Sequence, residues 1–230
     1  MGVTLASSAF GGVTITSFPP SIFNPDTGVM DSTLGIDGFT LEDFEDATLI
    51  PGLAIEFLKG GVAGFNETLS QLSNVLASPT VWDGSHVLLN HPTNGFLGLG
   101  SASFSTRITF QFSTPALSVG VGLVGFQSLV SNAPLTDHRL IINGLPLPDT
   151  LETLAAPNFV GHSRFRNAYL RIDASEGMNI TSIGFENISF AELLEFDHLA
   201  VQYVCEPATL PLLLLGCIGA AILARRRATD

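Results

Sequence analysis

A series of short apolar runs separated by turn-forming residues is the feature of this 230-residue chain that most constrains its fold. In residues 107–112, and again in residues 117–123, large apolar side chains alternate with polar or small ones, which is typical of half-buried β-strands. The chain holds similar runs at residues 39–44, 53–57, 87–89, 139–142, 159–160, 169–172, 180–185 and 196–204. No long helical pattern separates the runs, which argues against a parallel α/β sheet. We therefore predict an all-β fold, an antiparallel β-sandwich with a jelly-roll-like arrangement.

The charge of the chain is strongly acidic and unevenly distributed. Three of the nine basic residues and two of the 21 acidic residues follow residue 204, which leaves six basic and 19 acidic groups before it. Such a surface repels phosphate groups, so we exclude nucleic-acid partners, and it attracts cations such as calcium. Both cysteines, Cys205 and Cys217, also follow residue 204. The preceding domain therefore has no disulfide and depends on its hydrophobic core.

The C-terminal stretch differs from the rest of the chain in composition. Residues 207–224 carry no charge, and as a helix they would extend about 27 Å, close to the hydrocarbon thickness of a bilayer. Three arginines follow directly, so the positive-inside rule places the C-terminus in the cytoplasm and the large domain outside. A buried core helix is the alternative, which a chain-terminal position before three arginines disfavours. We predict a single transmembrane helix over residues 207–224.

The chain divides into three predicted parts. Residues 1–34 form the remnant of a signal peptide and a loose leader, with one edge strand near residues 13–16. Ser7-Ser8-Ala9 fits a small-x-small cleavage site, although the first residues lack a basic region, so we expect the true start codon to lie upstream. Residues 35–204 form the β-sandwich ectodomain, and residues 205–230 form the tail. The alternative, a tail-anchored protein facing the cytoplasm, would put the arginines on the wrong side of the membrane.

The tail resembles the PEP-CTERM sorting signal of Gram-negative bacteria, which combines a Pro-Glu-Pro motif, a transmembrane run and an arginine cluster. Cys205 stands where that motif has its first proline. The resemblance implies the following sorting residues: Cys205, Glu206, Pro207, Ala208, Thr209, Arg225, Arg226 and Arg227. It further implies recognition by an exosortase, residence in the cell membrane during export, and then attachment to the cell surface or extracellular matrix, often among exopolysaccharide. Segments at residues 44–53, 84–90, 108–121 and 180–199 also resemble parts of the ectodomains commonly found before such tails. This resemblance covers most of residues 38–204 and implies a sandwich fold, not an activity.

An acidic stretch at residues 42–46 suggests a cation site. Asp197 shares strand alternation with Leu199, Val201 and Tyr203, so it points inward if they do, and a buried carboxylate needs a partner or a metal. By resemblance to jelly-roll carbohydrate-binding domains, a structural calcium would be held by Glu45 and Asp197, with Asp46 assisting. The alternative, which we favour slightly, is a solvated acidic edge with Asp197 at a strand end.

Trp82 is the candidate for sugar binding. Sugar platforms present flat aromatic faces, and Trp82 lies in a loop-like segment where it could stack on a sugar ring. A lone aromatic side chain is more often a packing element, and we favour that interpretation. Carbohydrate binding or adhesion within an exopolysaccharide matrix therefore stands as an alternative function.

Catalytic signatures are weak in this sequence. Its five histidines are dispersed without a metalloprotease pair, and no G-x-S-x-G elbow occurs. Gly120, Gly122 and Gly125 match G-x-G-x-x-G, but they lie within an alternating strand pattern, where small residues on a crowded sheet face explain them better than a dinucleotide site. We predict an exported, surface- or matrix-associated protein without enzymatic activity, and a hydrolase is the less favoured alternative.

Overall fold

The computed structural model describes residues 6–10, 12–23, 26–45, 48–59, 62–67, 75–77, 82, 86–89, 107–126, 138–155, 158, 160–162, 165–187 and 195–204. The strands are β1 (Ala6–Phe10), β2 (Val13–Phe18), β3 (Thr40–Glu42), β4 (Leu53–Lys59), β5 (Val62–Glu67), β6 (Val75–Ala77), β7 (His86–Leu89), β8 (Arg107–Phe126), β9 (His138–Ile142), β10 (Leu145–Thr150), β11 (Val160–His162), β12 (Phe165–Ala174), β13 (Ile180–Asn187) and β14 (Glu195–Tyr203). The described helices are short: a 3-10 turn (Pro20–Ile22), α1 (Thr27–Leu34) and α2 (Leu151–Ala155).

Every pairing between the described strands is antiparallel, which confirms the all-β prediction. The long strand β8 organises the sheet. Its first part, residues 107–112, lies between β4 and β13, and β5, β9 and β10 extend this side, which we call the first half. Its second part, residues 116–126, lies between β12 and β14, and β1, β2, β3, β6, β7 and β11 extend this second half.

The two alternating runs at residues 107–112 and 117–123 belong to one strand, because β8 continues through Pro115 without interruption. The pairing partners of β8 change at this point instead. The ladder with β13 shifts register between Ile180 and Ser182, opposite the segment that contains the proline. A proline has no N–H to donate, so it fits where one ladder gives way to the next.

The main core contains apolar side chains from both halves of the sheet. Ile108, Phe110 and Phe185 of the first half share it with Val121 and Phe196 of the second. The Phe196 ring lies 5.4 Å from the Phe110 ring and 4.8 Å from the Phe185 ring, measured between centroids. The aromatic contacts therefore join strand β14 directly to strands of the other half.

A smaller core lies on the other face of the second half. Along β8, Val121 and Leu123 belong to the main core, whereas Val124 belongs to this smaller one, as strand alternation requires. Its buried members are Phe18, Ile22, Met30, Leu34, Ile36, Trp82, Val124, Tyr169 and Ala200. The 3-10 turn and α1 contribute Ile22, Met30 and Leu34, so this segment covers the outer face of the sheet.

The segment expected to be a loose leader, residues 10–34, is in large part structured. Strand β2 forms where an edge strand was expected, but it lies inside the sheet, between β1 and β12. The spacing of Met30 and Leu34 places them on one side of α1, where both are buried. The proposed cleavage site, Ser7-Ser8-Ala9, falls within β1.

No helix among the described residues is both long and apolar enough to span a membrane. The predicted transmembrane helix, residues 207–224, and the whole predicted sorting tail, residues 205–230, lie outside the described residues. Both stay predictions.

Candidate functional site

A β-bulge in β14 contains two adjacent buried polar residues, Asp197 and His198. Asp197 pairs with Gly122 and Ala200 pairs with Gly120, so His198 and Leu199 together oppose the single residue Val121. His198 adopts a left-handed conformation with φ of 48°. Non-glycine residues rarely adopt this conformation, and bulges of one extra residue commonly re-aim side chains next to functional sites.

The bulge corrects the reasoning that placed Asp197 on the same face as Leu199. Asp197 is fully buried, as expected for an inward-pointing residue. It nevertheless lies opposite Gly122 on the face of the smaller core, whereas Leu199 and Val201 belong to the main core. One inserted residue reverses the alternation of side chains along a strand. Two odd-numbered residues on opposite sides of the bulge, such as Asp197 and Leu199, therefore point to opposite faces of the sheet.

The Asp197 carboxylate accepts hydrogen bonds from two backbone amides. The Trp82 N–H donates to Oδ2 at 2.5 Å, and the His198 N–H donates to Oδ1 at 2.8 Å. Hydrogen bonds to an ionised carboxylate are stronger than neutral ones, and they supply the partners that a buried carboxylate needs. Asp197 thereby fixes residue 82 against the sheet and stabilises the bulge.

The Trp82 ring packs directly on a glycine of β8. A Cβ atom added at Gly122 would lie 2.2 Å from Cδ1 of Trp82, so only glycine leaves room for the ring. The ring also packs edge-on against Tyr169, with centroids 5.3 Å apart, and its Nε1 donates to the Leu123 carbonyl at 3.4 Å. With 3% of its surface exposed, Trp82 is a packing element in this structure, and sugar stacking would require the ring to leave this position.

Gly120 has the same role beneath Tyr169. A Cβ atom there would lie 2.4 Å from the Tyr169 hydroxyl oxygen. Both glycines lie inside strand β8, and no helix begins at either of them. The prediction that small residues serve a crowded sheet face is confirmed for Gly120 and Gly122. The surroundings of Gly125 lie outside the described part of the structure.

A histidine–aspartate pair joins α1 to the sheet. Nε2 of the fully buried His198 lies 2.9 Å from Oδ1 of Asp31, whose side chain is 15% exposed. The Tyr169 hydroxyl donates to the His198 carbonyl at 3.2 Å. Arg171 donates from its guanidinium to the carbonyl of Leu34 at 2.8 Å, where the C-terminal end of α1 favours a cation. We call Asp31, His198 and Arg171 the α1 anchor.

A histidine hydrogen-bonded to a carboxylate is also the arrangement of a general base and the group that orients it. In catalysis, the base must reach the proton of a substrate or of a water molecule. The His198 ring is enclosed by Tyr169, α1 and the sheet, and its described contacts all join structural elements. The geometry therefore supports a docking role for this pair.

Glu42, the last residue of β3, supplies a structural carboxylate within the acidic stretch that was expected to be a solvated edge. Glu42 is buried, and its carboxylate accepts hydrogen bonds from the N–H groups of Phe44 at 3.0 Å and Ile50 at 2.8 Å. Phe44 has φ of 56° and a ring buried in the main core. Glu42 and Phe44 have the same parity in the sequence, which was the available signal that this glutamate also points inward.

The structure places only two of the three proposed calcium ligands. Glu45 is partly exposed, and its backbone N–H donates to Oδ1 of Asp43. The Asp197 carboxylate accepts hydrogen bonds from backbone amides. Asp46 lies outside the described residues. The part of the chain that the structure describes contains no group of three or more His, Cys, Asp or Glu side chains arranged for a metal ion. The calcium site stays a prediction.

Tyr203, at the end of β14, packs at the border of the main core. Its ring lies 6.5 Å from that of Phe112, and its hydroxyl lies 3.5 Å from the Pro51 carbonyl oxygen. Partial burial raises the pKa of the Tyr203 phenol above its ordinary value, because the phenolate would lose hydration there.

Comparison of the chain with protein-family models, with curated proteins and with solved structures found no match.

Proposed function

We propose that this chain is an exported, non-enzymatic β-sandwich protein that a C-terminal sorting signal delivers to the cell surface or extracellular matrix. In this proposal the first and second halves of the sheet are the two layers of a jelly-roll-like sandwich. The ring contacts of Phe196 with Phe110 and Phe185 support that arrangement, because they join strands of the two halves across a shared core.

The sorting proposal is supported by the position at which β14, the last of the described strands, ends relative to the motif. Strand β14 ends at Tyr203, and the Val204 N–H donates to the Pro115 carbonyl at 2.8 Å. The predicted motif begins at the next residue, Cys205. Cleavage within the motif would therefore remove no residue of β14, and an exosortase and the membrane are the proposed partners of this tail.

The buried polar groups support a structural role for the domain. Asp197 and Glu42 hold backbone amides, and the α1 anchor holds a helix against the sheet. Each of these contacts stabilises the fold without requiring a substrate, which is what we expect of a surface or matrix component. Exopolysaccharide is the matrix polymer that the tail resemblance implies as a neighbour.

Fractionation of a host that makes an exosortase tests the proposal. We expect the wild-type chain in the surface or matrix fraction, and a Glu206→Ala, Pro207→Ala double variant in the membrane fraction. Asp230→Asn, which alters the tail but leaves the motif and the arginine cluster unchanged, is the matched control and should distribute like the wild type. Identical distribution of the double variant and the wild type, or wild type confined to the cytoplasm, would refute the proposal.

A further inference from the structure

The β9–β10 hairpin contains an Asn-Gly pair at its turn. Asn143 and Gly144 have φ of 51° and 78°, so both residues of the two-residue loop adopt left-handed conformations. This is the type I′ geometry that tight hairpins favour, and Asn-Gly is its preferred sequence. Gly144 is exposed, and a Cβ atom added to it would have no neighbour within 4 Å.

The Asn143 side chain is held by the start of strand β13. Its Oδ1 accepts hydrogen bonds from the Thr181 N–H at 2.7 Å, the Thr181 hydroxyl at 3.0 Å and the Ser182 N–H at 3.2 Å. Its Nδ2 donates to the Asn179 carbonyl at 2.8 Å. The amide group of this residue therefore fastens the hairpin to a neighbouring strand of the first half.

Asn-Gly is also the sequence at which an asparagine side chain cyclises most readily, because glycine has no side chain to obstruct the attack. The backbone nitrogen of Gly144 would attack Cγ of Asn143 and lose its proton, while Nδ2 would leave as ammonia. Water would then open the resulting succinimide to an aspartate or an isoaspartate. To bring Cγ onto the Gly144 nitrogen, the side chain must leave its hydrogen bonds to β13.

We infer that Asn143 is a deamidation site that the native hairpin protects. In the folded chain the hydrogen bonds to Asn179, Thr181 and Ser182 hold the side-chain amide away from the attacking nitrogen. Once the hairpin opens, the reaction proceeds, and the product lacks the Nδ2 donor that binds Asn179. Deamidation therefore marks molecules whose hairpin has opened, and the mark is irreversible.

Peptide mapping by mass spectrometry tests this inference on the full chain, kept folded in detergent or unfolded in urea, in the same mildly alkaline buffer. Asn94-Gly95, the other Asn-Gly pair of the sequence, serves as a reference in the unfolded sample. We expect both asparagines to deamidate at similar rates when unfolded. In the folded chain we expect Asn143 to react at least about tenfold more slowly than when unfolded, since the net free energy of one or two hydrogen bonds gives such a factor.

Two variants check the mechanism. Thr181→Val removes the hydroxyl bond while retaining a β-branched residue and the backbone N–H, and it should accelerate the reaction of Asn143 in the folded chain only. Gly144→Ala should slow the reaction in the unfolded chain, because the methyl group obstructs the attack. Equal rates for Asn143 in folded and unfolded wild type would overturn the protection, and an inert Asn143 in the unfolded chain would overturn the site itself.

Discussion

The two cores of this protein are built on different principles. The main core joins both halves of the sheet through apolar side chains, with Phe110, Phe185 and Phe196 in mutual contact. The smaller core covers the outer face of the second half and depends on rings seated on glycines and on buried polar contacts such as those of Asp197. The stability of the main core should therefore fall when side-chain volume is removed. The stability of the smaller core should fall when a glycine gains a side chain or when a single hydrogen bond is removed.

The largest expected effect is in the main core. Phe196→Ala would leave a cavity where three aromatic rings meet, and we expect it to lower the free energy of unfolding by about 3–5 kcal/mol. Denaturant titration measures this loss, and Phe196→Leu should recover a large part of it. If both variants unfold like the wild type, the shared core is not where the stability lies.

In the smaller core, Gly122→Ala is expected to lower the free energy of unfolding by about 1–3 kcal/mol, because the added Cβ would overlap the Trp82 ring and the Asp197 carbonyl oxygen. Gly184→Ala is the matched control in a neighbouring strand, where the nearest atom would lie at 3.3 Å, and it should cost less. Adding Trp82→Ala to Gly122→Ala should cost less than the sum of the single changes. Strict additivity would show that the ring does not rest on this glycine.

These differences also show how far the sequence alone can predict the fold and the site. Alternating apolar residues predicted strands at β4, β8, β9, β12, β13 and β14, because alternation is a local property. The bulge at His198 was not predictable, since one inserted residue is defined only by the opposing strand. The sequence did not predict helix α1 for a similar reason. Met30 and Leu34 are buried against residues that are distant in the sequence, among them Tyr169.

A smaller effect is expected at the α1 anchor. Asp31→Asn replaces the carboxylate that contacts His198. We expect it to lower the free energy of unfolding by about 1 kcal/mol and to speed amide hydrogen exchange in α1. Asp37→Asn removes the same charge from an exposed position just after the helix, and exchange in α1 should stay at the wild-type rate. Equal exchange in all three proteins would mean that the pair does not dock the helix.

The smallest expected effect concerns Tyr203 and alkaline pH. Folding raises the pKa of this phenol, so its contribution to stability is complete below the unfolded pKa of about 10 and is lost as the pH rises through the folded value. Wild type should therefore lose more stability than Tyr203→Phe in urea titrations repeated across the alkaline range. Parallel losses in the two proteins would contradict the assignment.

We propose that a tail beginning directly after β14 sorts the chain. The most direct measurement is the mass of the mature C-terminal peptide, from protein recovered at the surface of a host that makes an exosortase. We predict a peptide that ends within or next to residues 205–209 and lacks Arg225, Arg226 and Arg227. Recovery of surface protein that retains all three arginines would contradict it.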